Sequence, residues 1–340
     1  MALDPQVRNL QLMKDIEPSM RKSGDEDFKA WQKKAGSKLM ELLGLPLEEA
    51  EENFRIEWTK DDEPSCTEIR FLFQSEPLVD VSCHLLLPKN VPQENLPLII
   101  CLQGHSKGMH ISLGRPIYEG DEVTISGGDR DFARQIVASG QAALAIEQRA
   151  FGERGGTPKG PACRQPAVQA LMLGRTLIGE RCWDVSRAID VIEKHFPMID
   201  MSRIAIMGNS GGGTATIYAA AVEPRIAAAM PSCAFCGYLP SIGAQEHCLC
   251  NYIPSIMKYF DMGDLAGLIA PRPFVVVNGQ HDGIFPIDSA KEQMEIAYGL
   301  YRDAGAPDMA RHVVGPEGHR FYAALAWPVF DEVTGWKKEK

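Results

Sequence analysis

Arg203-Ile204-Ala205-Ile206-Met207-Gly208-Asn209-Ser210-Gly211-Gly212-Gly213 places one serine between glycines two residues to either side. An apolar run leads into it and a run of small residues, Thr214 to Ala221, leads away. A serine becomes a useful nucleophile when a sharp strand-to-helix turn lifts its hydroxyl to a helix N-terminus, where backbone N–H groups favour a developing oxyanion. Such a turn brings strand and helix so close that the flanking positions must lack side chains, a demand Gly208 and Gly212 meet. A glycine-rich turn with an incidental serine is the competing reading, and the strand before and helix after weigh against it. A phosphate-binding loop would need the Walker lysine, which is absent.

A serine nucleophile needs a base, and the base needs an orienting carboxylate; on a turn of this kind they follow in the order acid, then histidine. His247, His281, His312 and His319 follow Ser210. His319 is the expected base, because Gly315-Pro316-Glu317-Gly318-His319 makes a flexible loop after the last apolar run. Asp282, in Asn278-Gly279-Gln280-His281-Asp282-Gly283, is the expected acid; Asp288 reads as the cap of the helix after Pro286. Two backbone donors should bind the oxyanion. Gly211 supplies one and His105, in the loop opening Gln103-Gly104-His105, the other.

Two further groups invite competing readings. Cys233, Cys236, Cys248 and Cys250, with His247 among them, lie within 18 residues and could hold a tetrahedral metal, pair as disulfides, or be buried thiols. The Cys-x-Cys pair is tighter than usual zinc spacing, so buried thiols are preferred; neither metal nor cofactor is expected. Arg149 either meets an acidic substrate group or pairs with Glu147 or Glu153, and the ion pair is preferred.

These residues need a scaffold. Residues 1–53 carry apolar residues at helical spacing (Trp31, Leu39, Leu42, Leu43) and read as a helical extension packed outside a core. From 54 onward the period becomes two: Ile69, Phe71 and Phe73, then Val79, Val81, Cys83, Leu85 and Leu87, predict antiparallel strands. Beyond Pro97, short apolar runs (98–102, 142–146, 204–207, 226–230, 274–277, 312–314) alternate with helical segments. That pattern predicts an α/β domain over 54–340: a mostly parallel sheet with antiparallel opening strands and helices on both faces. Residues 103–130 and 231–272 exceed ordinary connections and read as loops or lids, the second being an insertion after the sixth strand.

With the turn at 208–212, Gly279 to Pro286, Gly318-His319 and Glu147 to Gly152 in place, residues 65 to 335 resemble the α/β-hydrolases. Within them they resemble the dienelactone-hydrolase-like and acetyl xylan esterase-like enzymes. Dienelactone hydrolases carry cysteine where this chain has Ser210. The resemblance implies a serine carboxylic-ester hydrolase acting through an acyl-enzyme, with a short-chain acyl ester such as an acetylated sugar as substrate. Tyr238, His247 and Tyr252, polar-edged rings of the insertion, are the expected substrate contacts. The alternatives are a peptidase of prolyl-oligopeptidase type, usually accompanied by a large second domain, and a non-catalytic binding protein on the same fold.

Composition narrows the partners. Across 340 residues, 35 Lys and Arg against 45 Asp and Glu leave a net charge of −10, which gives nucleic acid no electrostatic footprint. Met1-Ala2-Leu3-Asp4-Pro5 lacks the basic start of a secretory signal, no apolar run is long enough to span a membrane, and nine dispersed cysteines suit a reducing cytoplasm. Oligomeric state leaves no mark in the sequence.

Overall fold

The computed structural model describes residues 3–336. Helices α1 (Gln6–Asp15) and α2 (Phe28–Leu43) come first, then strands β1 (Arg55–Lys60), β2 (Cys66–Glu76), β3 (Val79–Pro88) and β4 (Leu96–Leu102). There follow α3 (Asp121–Gly127), α4 (Phe132–Ala138), β5 (Ala142–Ile146), α5 (Arg164–Met172), α6 (Leu177–His195) and β6 (Ile199–Asn209). The chain continues through α7 (Gly211–Val222), β7 (Ala228–Ser232), α8 (Met262–Ile269), β8 (Phe274–Gly279), α9 (Ile287–Asp303), β9 (Ala310–Gly315) and α10 (Ala323–Thr334). The strands form one sheet in the order β1-β2-β3-β5-β4-β6-β7-β8-β9. Pairing is antiparallel from β1 to β5 across β2 and β3, and parallel from β5 through β9.

The central strands are buried on both faces, and their alternate residues enter two separate cores. Leu98, Ile100 and Leu102 of β4 face one side, with Phe274 and Val276 of β8; Ile99 and Cys101, with Val275 and Val277, face the other. On the first side α6, α7 and α8 close the core; on the second, Phe132 of α4 and Phe321, Ala326 and Phe330 at and within α10 do so. Burial on both faces is what turns these strands into continuous apolar runs in the sequence.

Several sequence expectations shift in detail. An additional edge strand, β1, stands ahead of the two read from alternation, so the insertion follows the seventh strand; its exposed residues leave no two-residue period. Helix α5 was not legible, and residues 231–272 contain short helical turns and α8. Helix α2 does not lie outside the core: Trp31, Ala35, Leu39 and Leu43 join the larger one. The Trp31 indole N–H donates to Met20 O at 2.7 Å, and the Gln32 amide donates to Gly267 O and Ala270 O at 2.7 and 2.6 Å.

Arg149 pairs with neither Glu147 nor Glu153. Its guanidinium meets Glu76 at 2.5 Å, Asp184 at 2.8 Å and Glu180 at 3.2 Å, pinning β2 to α6. Burial alone would raise the Asp184 carboxyl, but the Arg149 and Arg154 guanidiniums outweigh it and hold that carboxyl well below the usual carboxylate range.

Candidate active site

Ser210 stands between β6 and α7 with φ 56° and ψ −122°, a left-handed conformation that a non-glycine residue holds only where its surroundings impose it. The surroundings do: a methyl group on Gly212 would lie 2.0 Å from Leu102 O, and one on Gly208 2.5 Å from the Gly212 carbonyl. Strand and helix touch backbone to backbone there, so the glycine spacing is a packing requirement. The Ser210 N–H donates to Ser232 O at 2.8 Å, which ties the turn to the end of β7.

Asp282 and His319 follow β8 and β9, whose ends are in register at Gly279 and Gly315. His319 Nδ1 lies 2.8 Å from Asp282 Oδ2, while Asp282 Oδ1 accepts the N–H groups of Ile284 and Phe285 at 2.8 and 3.1 Å. Burial pushes the Asp282 carboxyl upward, but the His319 hydrogen bond and charge and the two backbone donors outweigh it and lower it. A buried, ionised aspartate on Nδ1 leaves Nε2 as the ring nitrogen free to take a proton. Cys233, which directly follows the Ser232 bonded to Ser210, brings its Sγ within 4.8 Å of the Asp282 and His319 ligand atoms. Its thiol donates to Arg320 O at 3.1 Å, and burial, with the Asp282 charge, pushes it up to about 12, so it is neutral.

The loop after β4 closes the other side. A methyl on Gly104 would lie 3.0 Å from Ser210 Cβ, and one on Gly211 2.5 Å from His105 Cε1, so the His105 ring packs on the first residue of α7. Gly211, at the head of its helix, has no intrahelical acceptor for its N–H. Among the described residues, neither it nor the His105 N–H has a hydrogen-bond acceptor.

Two side chains that sequence reasoning passed over hold this loop. Gln103 Nε2 donates to Ser112 Oγ at 2.6 Å and to Arg130 O at 3.1 Å, and the Gln148 amide donates to Gln103 O. Arg130 Nη2 in turn donates to His319 O at 3.1 Å. The signal was available in part, because Gln103 directly follows an apolar run and Gln148 stands two residues past the end of another.

The three expected substrate contacts part company. His247 stays on the side of His319: its ring meets the edge of Phe285 at 5.6 Å, and Phe285 stacks on His319 at 5.9 Å. Tyr238 is a correction: it is buried, with its hydroxyl 2.6 Å from that of Tyr218. Tyr252 and Tyr238 line a cavity with Met13, Ile16 and Ile242 to which none of Ser210, Asp282 and His319 contributes. Asp288 is also corrected; it sits exposed in the first turn of α9 without a capping hydrogen bond. The expected cysteine group divides: Cys233 joins Asp282 and His319, Cys236 packs with Phe285, Ile287 and Ala290, and Cys248 and Cys250 meet Cys163 and His105. All nine cysteines are free.

Glu147, at the end of β5, is buried beneath the same loop and accepts the Met109 N–H at 3.1 and 3.2 Å. Burial, above all, pushes its carboxyl up to about 8. A carboxyl raised in the fold gives stability that is complete below its unfolded pKa and is lost as pH rises through the folded value. At about 1.4 kcal/mol per pH unit, Glu147 should therefore cost up to about 4 kcal/mol between pH 5 and pH 8. Denaturant titrations should find Glu147→Gln gaining on the wild type by that amount over this interval; a gap constant with pH would mean the carboxyl is already ionised in the fold.

A family model described as Abhydrolase family (Abhydrolase_7) matches residues 7–308, and the chain belongs to that family of α/β-hydrolases. It is 28% identical over 191 residues to YtaP of Bacillus subtilis (strain 168), provisionally named a hydrolase; the match spans 55% of this chain and 62% of that protein's length. Among solved structures, BF1801 of Bacteroides fragilis NCTC 9343, provisionally named an acetyl xylan esterase, superposes with a TM-score of 0.77 at 17% identity, over 98% of this chain and 90% of that one. A glucuronoyl esterase from Solibacter usitatus gives 0.70 at 16% identity, over 96% and 100%. An acetyl xylan esterase from Paenibacillus sp. R4 gives 0.59 at 18% identity, over 98% and 99%. At these identities the structural likeness establishes the fold. Among the described residues no helix is long and apolar enough to cross a membrane.

Proposed function

We propose that this chain is a serine carboxylic-ester hydrolase acting on a short acyl group carried by a sugar. The observation that carries the reading is the conjunction at one sheet edge of Ser210, in its left-handed turn, with the 2.8 Å pair of His319 and Asp282. In the reaction His319 Nε2 takes the Ser210 proton as Oγ bonds to the ester carbon. The Gly211 and His105 N–H groups receive the oxyanion, and His319 returns the proton to the departing alcohol oxygen. Water, deprotonated by the same imidazole, then breaks the acyl–Oγ bond and restores the serine. The chemistry needs no metal.

Three of the similar structures bear names of esterases that act on carbohydrate, which supports a sugar ester. Acetate is favoured because Phe285 stacks on His319 and His247 in turn meets the edge of Phe285, so that bulky rings, one of them polar, stand beside the base. A panel of aryl esters from acetate to octanoate, acetylated xylo-oligosaccharides and a methyl glucuronate ester tests this. We expect kcat/KM to fall from acetate to octanoate and the acetylated sugar to be deacetylated. A steady rise toward octanoate would indicate a long apolar slot, and hydrolysis of the glucuronate ester alone would put the sugar on the acyl side.

A further inference from the structure

His105, Cys163, Cys248 and Cys250 come from three separated stretches of chain, yet their Nε2 or Nδ1 and Sγ atoms all lie within 4.8 Å of one another. His105 follows β4, Cys163 immediately precedes α5, and in the insertion between β7 and α8 Cys248 immediately precedes a short helical turn (Leu249–Asn251) that contains Cys250. His105 Nε2 is 3.1 Å from Cys250 Sγ. In a tetrahedral zinc site with Zn–S of about 2.3 Å and Zn–N of about 2.0 Å, neighbouring donor atoms stand about 3.5 to 3.8 Å apart. The cluster already approaches that spacing.

A second, independent observation concerns charge. Arg181 of α6 is 2% exposed, its guanidinium lies 4.6 Å from the Phe151 ring, and Nη2 donates to Cys163 Sγ at 3.3 Å and to Arg149 O at 2.9 Å. Its Nε and Nη1 have no hydrogen-bond partner, and among the described residues no carboxylate pairs with it. A guanidinium buried in this way requires a negative neighbour. Three thiolates, one divalent cation and one guanidinium are together neutral. A disulfide would use two of the sulfurs and leave the third thiol, the imidazole and the arginine without a role. Ala150, Phe151, Ala167, Leu177 and Leu249 wall the cluster with apolar surface, the usual setting of a closed structural site.

We propose that His105 Nε2 and the sulfurs of Cys163, Cys248 and Cys250 bind one zinc ion in a closed tetrahedral site. Binding forms three Zn–S bonds and one Zn–N bond and releases the three thiol protons to solvent. The ion fastens the insertion and the segment before α5 to the loop after β4. His105 then spans two functions, its ring held by the metal and its Cε1–Nδ1 edge packed on Gly211. Only this last consequence, that the metal positions an oxyanion donor, rests on the esterase reading.

The test is metal analysis of the full chain purified under reducing conditions without chelator. We expect about one zinc per chain. Exchange with cobalt(II) should give an intense thiolate-to-metal band and the visible bands of a tetrahedral ion. Cys248→Ser and Cys250→Ser should lose the zinc, whereas Cys236→Ser, outside the cluster, should keep it. Should the serine variants not fold, alkylation of the wild type followed by mass mapping serves instead: Cys163, Cys248 and Cys250 should be protected until a strong chelator is added. No metal and no cobalt spectrum, or a disulfide among these three cysteines, would overturn the proposal. Ester hydrolysis by a zinc-free protein would refute the zinc site alone. Bound zinc without hydrolysis would refute the esterase reading alone.

Discussion

Ser210→Ala is expected to lower kcat for aryl acetate by about 10⁴-fold or more, with the fold intact. The substitution removes a single half-buried oxygen from the turn between β6 and α7. Alanine has no more bulk than serine at the left-handed φ of 56°, so circular dichroism and thermal unfolding should match the wild type. The residual rate would come from the Gly211 and His105 donors, which still polarise a bound carbonyl. Activity above about a hundredth of wild type would mean that another group is the nucleophile. Cys233 is the neighbour to suspect then, although its neutral, buried thiol argues against it.

Asp282→Asn is expected to cost about 10³- to 10⁴-fold in kcat, nearly as much as His319→Ala. Asparagine keeps the shape and can still accept the Ile284 and Phe285 N–H groups, but its amide can present N–H to His319 Nδ1. That reverses the tautomer and places the ring proton on Nε2, where a lone pair must face the serine. The control is Asp288→Asn, exposed in the first turn of α9, which should leave kcat unchanged. Were Asp288→Asn the more damaging change, the acid would be misassigned.

Both predictions concern residues that the sequence alone singled out, and the reason is local. The Gly208 and Gly212 spacing around Ser210 is enforced by contacts of strand with helix, so it is written in adjacent letters. Asp282 and His319 could be chosen because chain order and the ends of two apolar runs limited the candidates. The central strands were legible for a similar reason, since burial on two faces makes them continuously apolar. Edge strand β1 was not, because Arg55–Lys60 is almost wholly exposed and has no inner face to enforce a period.

What the sequence concealed is what arises from separation along the chain. Cys248 and Cys250 were grouped with Cys233 and Cys236 because those are near in sequence, yet the fold pairs them with Cys163 and His105 instead. Arg149 was assigned to Glu147 or Glu153 on the same ground, and its partners Glu76 and Asp184 lie on β2 and α6. Tyr238 has a polar edge suited to substrate, but that edge is spent on Tyr218 inside the core. For the cysteines and Arg149 residue type was informative and proximity in sequence misled, because a mostly parallel sheet brings together segments that are far apart in the chain; for Tyr238 the residue type itself misled.

The central claim is that Ser210 is a nucleophile activated by His319, and covalent labelling tests it most directly. The protein should be treated with a fluorophosphonate, digested, and mapped by mass spectrometry. We predict one label per chain, on the peptide carrying Ser210, with labelling slowed by orders of magnitude in His319→Ala and loss of ester hydrolysis in step with labelling. Label on any other residue, or full hydrolysis by protein whose Ser210 is completely modified, would contradict the account.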